Sequence, residues 1–302
     1  MTDLKTAIYR ERKSPFIHPF EGSGADDVFC PSFWVLSAAN GCPFDCAYCY
    51  LKRTFRGEPP VLFTNTKKMI AEIERWMARH AEPQVLNAGE LYDSFGFEPL
   101  RKTAVELVEL FRRQNKHFLL FLTKSAWYPQ IEPTPQVILS YSINAFSVWR
   151  YLEHCKTPEP ENRLKAINGA LKNGWRVRVR YDPIYFYTDI NFMRMPSDLI
   201  IISIFQPISY IYRMSQKPER LTLGTFRFRP QDRKFAGALL DGLVQDGGDG
   251  RLRVPNRAEI YKAICDALPN IPVGLCKETL DVHKKVFGED VQPNPHGCNC
   301  TL

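Results

Sequence analysis

The chain lacks the marks of several protein classes. Its longest apolar stretch, residues 199–212, is too short for a bilayer and carries Gln206 and Pro207. It reads as a buried helix or strand, and no membrane role is expected. The first ten residues hold no apolar signal region, so a cytoplasmic protein is expected. There is no internal repeat and no low-complexity segment. Hydrophobic residues make up 44% and charged residues 24%, as in ordinary globular proteins, which excludes a disordered or fibrous chain. Its 302 residues suffice for one large domain or two small ones.

Cysteine is what the chain does have, at nine residues. An odd count without a secretory signal argues against a disulfide framework. Clustered cysteines in such a chain serve more often as thiols or metal ligands. Lysine and arginine outnumber acidic residues by 40 to 33, a net charge of +7, which fits an anionic partner such as nucleic acid.

Residues 1–33 read as a loop-like N-terminal extension broken by Pro15, Pro19, Gly22 and Gly24. From residue 34 the pattern alternates. Apolar runs at 33–39, 85–88, 118–123, 137–144, 175–181 and 221–228 predict strands. Residues 67–80, with Ile70, Ile73 and Met77 at helical spacing, 99–114, and 161–173 predict helices, the last closed by a left-handed Gly174. Repeated strand–helix units imply parallel strands in an α/β fold, an open sheet or a barrel. The glycine-rich loop at 246–250 is expected to be flexible. It marks the boundary between a unit at 34–245 and a C-terminal segment at 246–302. There Asn256 and Glu259 are placed as a capping box for a helix at 256–268.

The most informative stretch is Asn40-Gly-Cys-Pro-Phe-Asp-Cys-Ala-Tyr-Cys-Tyr-Leu51. Cys42, Cys46 and Cys49 form C-x3-C-x2-C in a loop after the first strand. Soft thiolates select zinc, copper or iron–sulfur clusters. Structural zinc requires a fourth protein ligand, and no nearby histidine or cysteine supplies it at zinc-finger spacing. A [4Fe–4S] cluster with three thiolates keeps one iron open for another ligand.

This stretch resembles the radical S-adenosylmethionine (SAM) superfamily, which has this spacing after the first strand and an aromatic residue before the last cysteine, here Tyr48. Cys46-Ala-Tyr-Cys-Tyr-Leu51, Leu122-Thr-Lys-Ser125, Ser142-Ile-Asn144, Glu153-His154 and the run from Arg163 through Gly174 to Asp182-Pro-Ile184 are similar to the spore photoproduct lyase family. Leu223-Gly-Thr-Phe-Arg227 is a weaker echo. The resemblance implies a partial (β/α)6 TIM-like barrel of the radical SAM type. It implies a [4Fe–4S] cluster on Cys42, Cys46 and Cys49, and SAM cleaved to a 5′-deoxyadenosyl radical that abstracts substrate hydrogen. A flavodoxin- or ferredoxin-type electron donor goes with that chemistry. Lys124 and Ser142 become candidates for the SAM carboxylate, and Glu90, closing Asn87-Ala-Gly-Glu90, for its amino group. Tyr48 and Tyr50 would lie by the adenosyl group, with Tyr50 counted beside the cysteines as catalytic. Each of these residues also has a plain reading as packing. The sequence departs from spore photoproduct lyase in one respect. That enzyme carries a cysteine hydrogen-atom donor after this strand, where Glu90 or Leu91 stands here, and no cysteine lies between Cys49 and Cys155. Another radical reaction on the same scaffold is therefore expected in place of thymine-dimer repair.

Strand periodicity puts Ser140, Ser142 and Asn144 on one face, and Arg176, Arg178 and Arg180 on one face of the next predicted strand. Facing a lumen, this row would bind a carboxylate or phosphate; on an edge strand it would be solvated. Ser142, Asn144 and Arg180 are cofactor candidates, and Arg176, Arg178 and Arg227 substrate candidates. Asp93 and Ser94 either face substrate or cap a turn before Pro99. In the tail, Cys276, Cys298 and Cys300, with His283 and His296 near, make an auxiliary metal site, a redox thiol or plain buried thiols. Cys30, Cys155 and Cys265 read as structural. Residues 213–234 carry a net charge of +5 beside Tyr212, Phe226 and Phe228, which suits phosphate and base contacts or a solvated basic surface. A nucleobase in DNA or RNA is the expected substrate. A peptide or small metabolite is the alternative enzyme reading, and a metal-stabilised nucleic-acid-binding protein the non-enzymatic one.

Overall fold

The computed structural model describes residues 6–154, 156–184 and 197–302; Cys155, expected to be structural, lies outside the described residues. Eight strands form the central sheet: β1 (Ile17–Phe20), β2 (Phe33–Leu36), β3 (Val85–Ala88), β4 (Phe118–Thr123), β5 (Val137–Ser142), β6 (Arg176–Ile184), β7 (Leu221–Thr225) and β8 (Val273–Leu275). They lie side by side in chain order. β1 runs antiparallel to β2, and every other neighbouring pair is parallel. Parallel neighbours need long crossovers. Helices α1 (Thr66–Arg79), α2 (Glu98–Arg112), α3 (Pro160–Lys172), α4 (Ser197–Tyr212) and α5 (Arg257–Ala267) supply them, and α6 (Leu280–Phe287) follows β8. The 199–212 stretch thus lies in a helix, and no helix among the described residues is long and apolar enough to cross a membrane.

Period-two alternation splits the central strands cleanly. Leu139 and Tyr141 of β5, Val177, Val179 and Tyr181 of β6, and Leu221 and Leu223 of β7 enter the main apolar core with the helices. The opposite face is polar. In register, Arg178 stands beside Ser140, and Arg180 between Ser142 and Thr222. The stripe of α1 centres on Met69, Ile73 and Trp76, so Ile70 and Met77 lie on its flank and are only partly buried. Helix α3 ends as expected. Gly174 has φ +83°, its N–H donates to Leu171 O at 3.0 Å, and the Trp175 N–H to Ala170 O at 3.0 Å, the two bonds of a Schellman cap.

Three local expectations change. The run at 221–228 divides: the chain leaves the sheet after Thr225, and Arg227–Phe228 pairs antiparallel with Leu252–Arg253. The capping box of α5 does not form, because Asn256 is left-handed (φ 52°) and its side chain makes no cap bond. The 246–250 loop is anchored: Asp249 accepts from Arg253 at 2.8 and 2.9 Å, and Asp27 accepts from the Gly248 N–H at 2.9 Å. The outer segments also join the sheet, since the head contributes β1 and the tail contributes β8.

Behind the strand ends lies an ion pair with no solvent contact, Arg163 to Glu153 (both 0% exposed). Arg163 also donates to Ser142 O at 3.2 Å and Pro158 O at 2.8 Å. Burial would raise the Glu153 carboxyl; Arg163 and Lys124 outweigh it and hold the pKa at about 2. The folded value lies below the unfolded value of about 4.3. The pair's stabilisation is therefore complete above that value and is lost as pH falls through about 2. Removing one partner of a buried pair costs roughly 3–5 kcal/mol. Arg163→Met should lower the urea-unfolding free energy at pH 7 by about that amount, and the gap to wild type should shrink toward pH 2.

Candidate active site

The loop after β2 carries the three clustered cysteines. Its shape comes from both ends: the Gly41 N–H donates to Leu91 O at 2.9 Å, and the Ala47 N–H to Leu152 O at 2.7 Å. Tyr48, between the second and third cysteines, donates to Glu153 Oε1 at 2.5 Å, and Asn144 Nδ2 donates to the same oxygen at 2.9 Å. The buried ion pair thus fixes the loop to the end of β5.

Cys42, Cys46 and Cys49 line one cavity of about 420 Å³. Glu90 (after β3), Lys124 (after β4), Ser142 (β5), Arg180 and Asp182 (β6), and Arg227 (beyond β7) share it. These positions lie at or near the carboxyl ends of parallel strands, where α/β folds place their sites. Gly89 lets the Glu90 loop reach it. At φ +136° a Cβ there would lie 2.7 Å from Leu122 O, so only glycine fits.

Burial pushes all three thiols up; Asp93 adds to this at Cys42 and Glu153 at Cys46, while Lys124 opposes it at Cys46 and Cys49. A metal centre would bind them as thiolates and release those protons. Among the described residues, no three Cys, His, Asp or Glu side chains are close enough to hold one ion. A lone zinc draws its ligands to about 2.3 Å from one point, whereas thiolates of a cluster bind different irons. Three soft thiols lining one cavity are the donor set of an iron–sulfur cluster with one iron left open.

The remaining candidates divide. Lys124 Nζ stands 5.7 Å from the centre of the Tyr48 ring. The Tyr50 hydroxyl donates to the Glu90 carbonyl and also meets the Glu90 carboxylate, which lines the cavity. Asp93 lines the cavity, yet its oxygens accept from Phe95 N (3.0 Å), Thr123 Oγ1 (2.7 Å) and Lys124 N (2.6 Å), so it ties the β3 loop to β4. Ser94 is buried against Ala88 O and accepts from Leu122 N at 3.1 Å. Asn144 sits behind Tyr48, outside the cavity wall.

The arginine row also splits along β6. Arg176, farthest from the cysteine loop, pairs with Glu219 and donates to Pro135 O at 2.7 Å. Arg178 is buried and donates to Asn299 O at 3.0 Å and to Thr301 O, holding the chain's own tail. Neither reaches the cavity. The substrate expectation for both gives way to structural pairing, because Glu219 and Pro135 take up Arg176 and the tail takes up Arg178. Arg180 and Arg227 do reach it, and both pair with Asp182, at 3.1 and 2.8 Å. Burial would raise the Asp182 carboxyl; Arg227 and Arg180 hold it at about 2.

Cys276 lines this cavity as well, and with Cys298, Cys300 and Cys30 it lines a smaller one beside it. His283 is buried, accepts from Asn294 N at 3.3 Å, and burial lowers its pKa to about 4. Sequence reasoning missed Glu153, Arg163, Asp182 and Cys30 as parts of the site. The first three fall in segments that carried the family resemblance; Cys30 gave no local signal.

A family model described as spore photoproduct lyase matches residues 8–195. No curated protein matches by sequence. Among solved structures, spore photoproduct lyase complexed with dinucleoside spore photoproduct superposes with a TM-score of 0.65 at 18% identity, over 93% of this chain and 80% of that one. A double variant of that enzyme with bound AdoMet and the dinucleoside gives 0.62 at 16% identity, over 93% and 80%. At these identities the likeness speaks for the fold.

Tyr48→Phe removes a hydrogen bond to a buried carboxylate, an interaction of roughly 1.5–3 kcal/mol. The variant should fold with a lower melting temperature. After reconstitution it should lose iron to a chelator several-fold faster than wild type, while Tyr128→Phe, remote from the loop, should not.

Proposed function

The chain belongs to the spore photoproduct lyase family, whose model covers more than half of it, and from that premise we propose how its cavity works as a radical SAM site. The enzyme is of the radical SAM lyase type. Seven parallel strands in chain order support reading the sheet as the partial barrel of such enzymes, with the head and tail packed on it.

Cys42, Cys46 and Cys49 would hold the [4Fe–4S] cluster that binds SAM. When bound, cluster and SAM supply a 5′-deoxyadenosyl radical that takes a hydrogen atom from substrate. The chain's own residues bind, orient and enclose. The Glu90 carboxylate, in the cavity wall beside the Tyr50 hydroxyl, would receive the SAM ammonium; Lys124 and Ser142 would receive the carboxylate. Tyr48, held from behind by Asn144 and Glu153, and Tyr50 border the adenosyl group. Arg180 is committed to Asp182 and two sulfurs, so it shapes the wall beside SAM. The observation that carries this reading is the convergence of three thiols, the Glu90 carboxylate, Lys124 and Ser142 on one cavity.

The substrate side is cationic and aromatic. Arg53, Arg227, Arg251 and Lys277 line it with Phe20, Phe226 and Phe228, which suits a nucleobase with adjacent phosphates. The bound dinucleoside of the similar solved structure supports the same class. We place the substrate in DNA or RNA.

Anaerobically reconstituted protein with reductant and SAM should release 5′-deoxyadenosine, and Cys46→Ala should abolish it. Glu90→Gln should raise the KM for SAM about tenfold, the loss of roughly one charge-assisted bond, with a smaller effect on kcat. Deuterium from labelled oligonucleotide should appear in the 5′-deoxyadenosine. Label arriving only from a peptide or metabolite would overturn the nucleic-acid assignment. Binding to oligonucleotide should weaken with salt.

A further inference from the structure

Four cysteines that the radical site does not use meet beside it. Cys30 lies just before β2, Cys276 just after β8, and Cys298 and Cys300 in the tail. Together they line a cavity of about 40 Å³, and all four are free thiols. Chain ends this far apart in sequence meet only because the sheet holds the tail in place. Asn299, between the last two cysteines, is fully buried. It donates to Ser140 Oγ at 3.0 Å and Val179 O at 2.9 Å, and exchanges bonds with Thr222 at 2.8 and 3.0 Å. Arg220 donates to Cys298 O at 2.6 Å. The C-x-C pair is a clamped part of the interior.

The sulfurs face buried cations. Arg180, 9% exposed, donates to Cys276 Sγ at 3.2 Å and Cys300 Sγ at 3.5 Å, and Arg227 approaches Cys276 Sγ at 3.6 Å. Guanidinium donors on sulfur favour the thiolate form that metals bind. One water needs roughly 10–15 Å³ of such space, so this cavity takes a few heavy atoms, the size of a small inorganic core and too little for an organic ligand. Among the described residues no three ligands stand close enough for a single ion, so the assignment is to a cluster, whose thiolates bind different irons, and rests on the four thiols sharing one cavity.

We propose that Cys30, Cys276, Cys298 and Cys300 hold a second, four-thiolate iron–sulfur centre. Four cysteines are the full complement for a two-iron or a four-iron core. Cys276 and Arg180 line both cavities, so the centre would form part of the wall of the radical site. The assignment goes beyond the SAM chemistry and stands without it.

The test is iron and acid-labile sulfide per full-length chain after anaerobic reconstitution, with 5′-deoxyadenosine formation recorded in parallel. Wild type should hold about six to eight irons, Cys46→Ala about two to four, and the Cys298→Ser/Cys300→Ser double variant about four. Wild type with only four irons, zinc in place of the extra iron, a disulfide among these thiols, or a Cys46→Ala chain without iron would each overturn the proposal. The wild-type and Cys46→Ala counts decide it even where the double variant fails to fold. Extra iron in a chain that makes no 5′-deoxyadenosine would overturn the radical reading and leave this one standing.

Discussion

Glu153 and Arg163 pair without water, and the cysteine end of the molecule is arranged around them. A carboxylate in that position is tolerable only because every approach to it carries a donor. Arg163 comes from α3, Thr157 from the connecting loop, Asn144 from beyond the end of β5, and Tyr48 from the cysteine loop. Each donor lies on a different piece of chain, so one charge fixes their relative positions. A buried pair of this kind is weak evidence for stability and better understood as a device for register. Here the register it sets is that of Cys46 and Cys49 relative to the strand ends.

The polar face of the sheet is the second organising feature. Burying Ser140, Arg178 and Thr222 needs hydrogen-bond partners, and the chain supplies them from its own last residues. Toward the carboxyl ends of the same strands the Asn299 contacts give way to the cavity, with Cys300 against Arg180 at the border. There Ser142, Arg180 and Asp182 line the larger cavity. One row of polar residues is thus half anchorage and half site, and the division falls where the tail ends its contacts. This brings Cys298 and Cys300 against Arg180 and sets the smaller cavity beside the larger.

Much of this was legible beforehand. Strand and helix periodicities placed six of the eight sheet strands to within a few residues, missing β1 and β8 and the division of the 221–228 run, and Gly174 marked the end of α3. The spacing of Cys42, Cys46 and Cys49 pointed to a cluster, and alternation put Ser142 and Arg180 on a common face. Side-chain roles were read less well. Asp93 and Ser94 look like site residues from position alone, but their oxygens are consumed by the β3–β4 junction. Arg176 and Arg178 share a face with Arg180 yet meet Glu219 and the tail. The Asn256 capping box failed on a backbone angle that composition does not reveal.

The sequence by itself determined the α/β class, the alternation of strands and helices, the cysteine motif and the family resemblance, because each depends on residues close together in the chain. Period, spacing and turn chemistry are local. Only the tertiary structure decided which charges meet: that Glu153 holds Tyr48, that Asp182 binds both Arg180 and Arg227, that the tail fills half the polar face, and that Cys30 joins Cys276, Cys298 and Cys300. Apart from Arg180 with Asp182, two residues apart, those pairings join segments far apart in the chain. They follow from where the strands end in space and from the need to partner every buried polar group, and no local pattern encodes either.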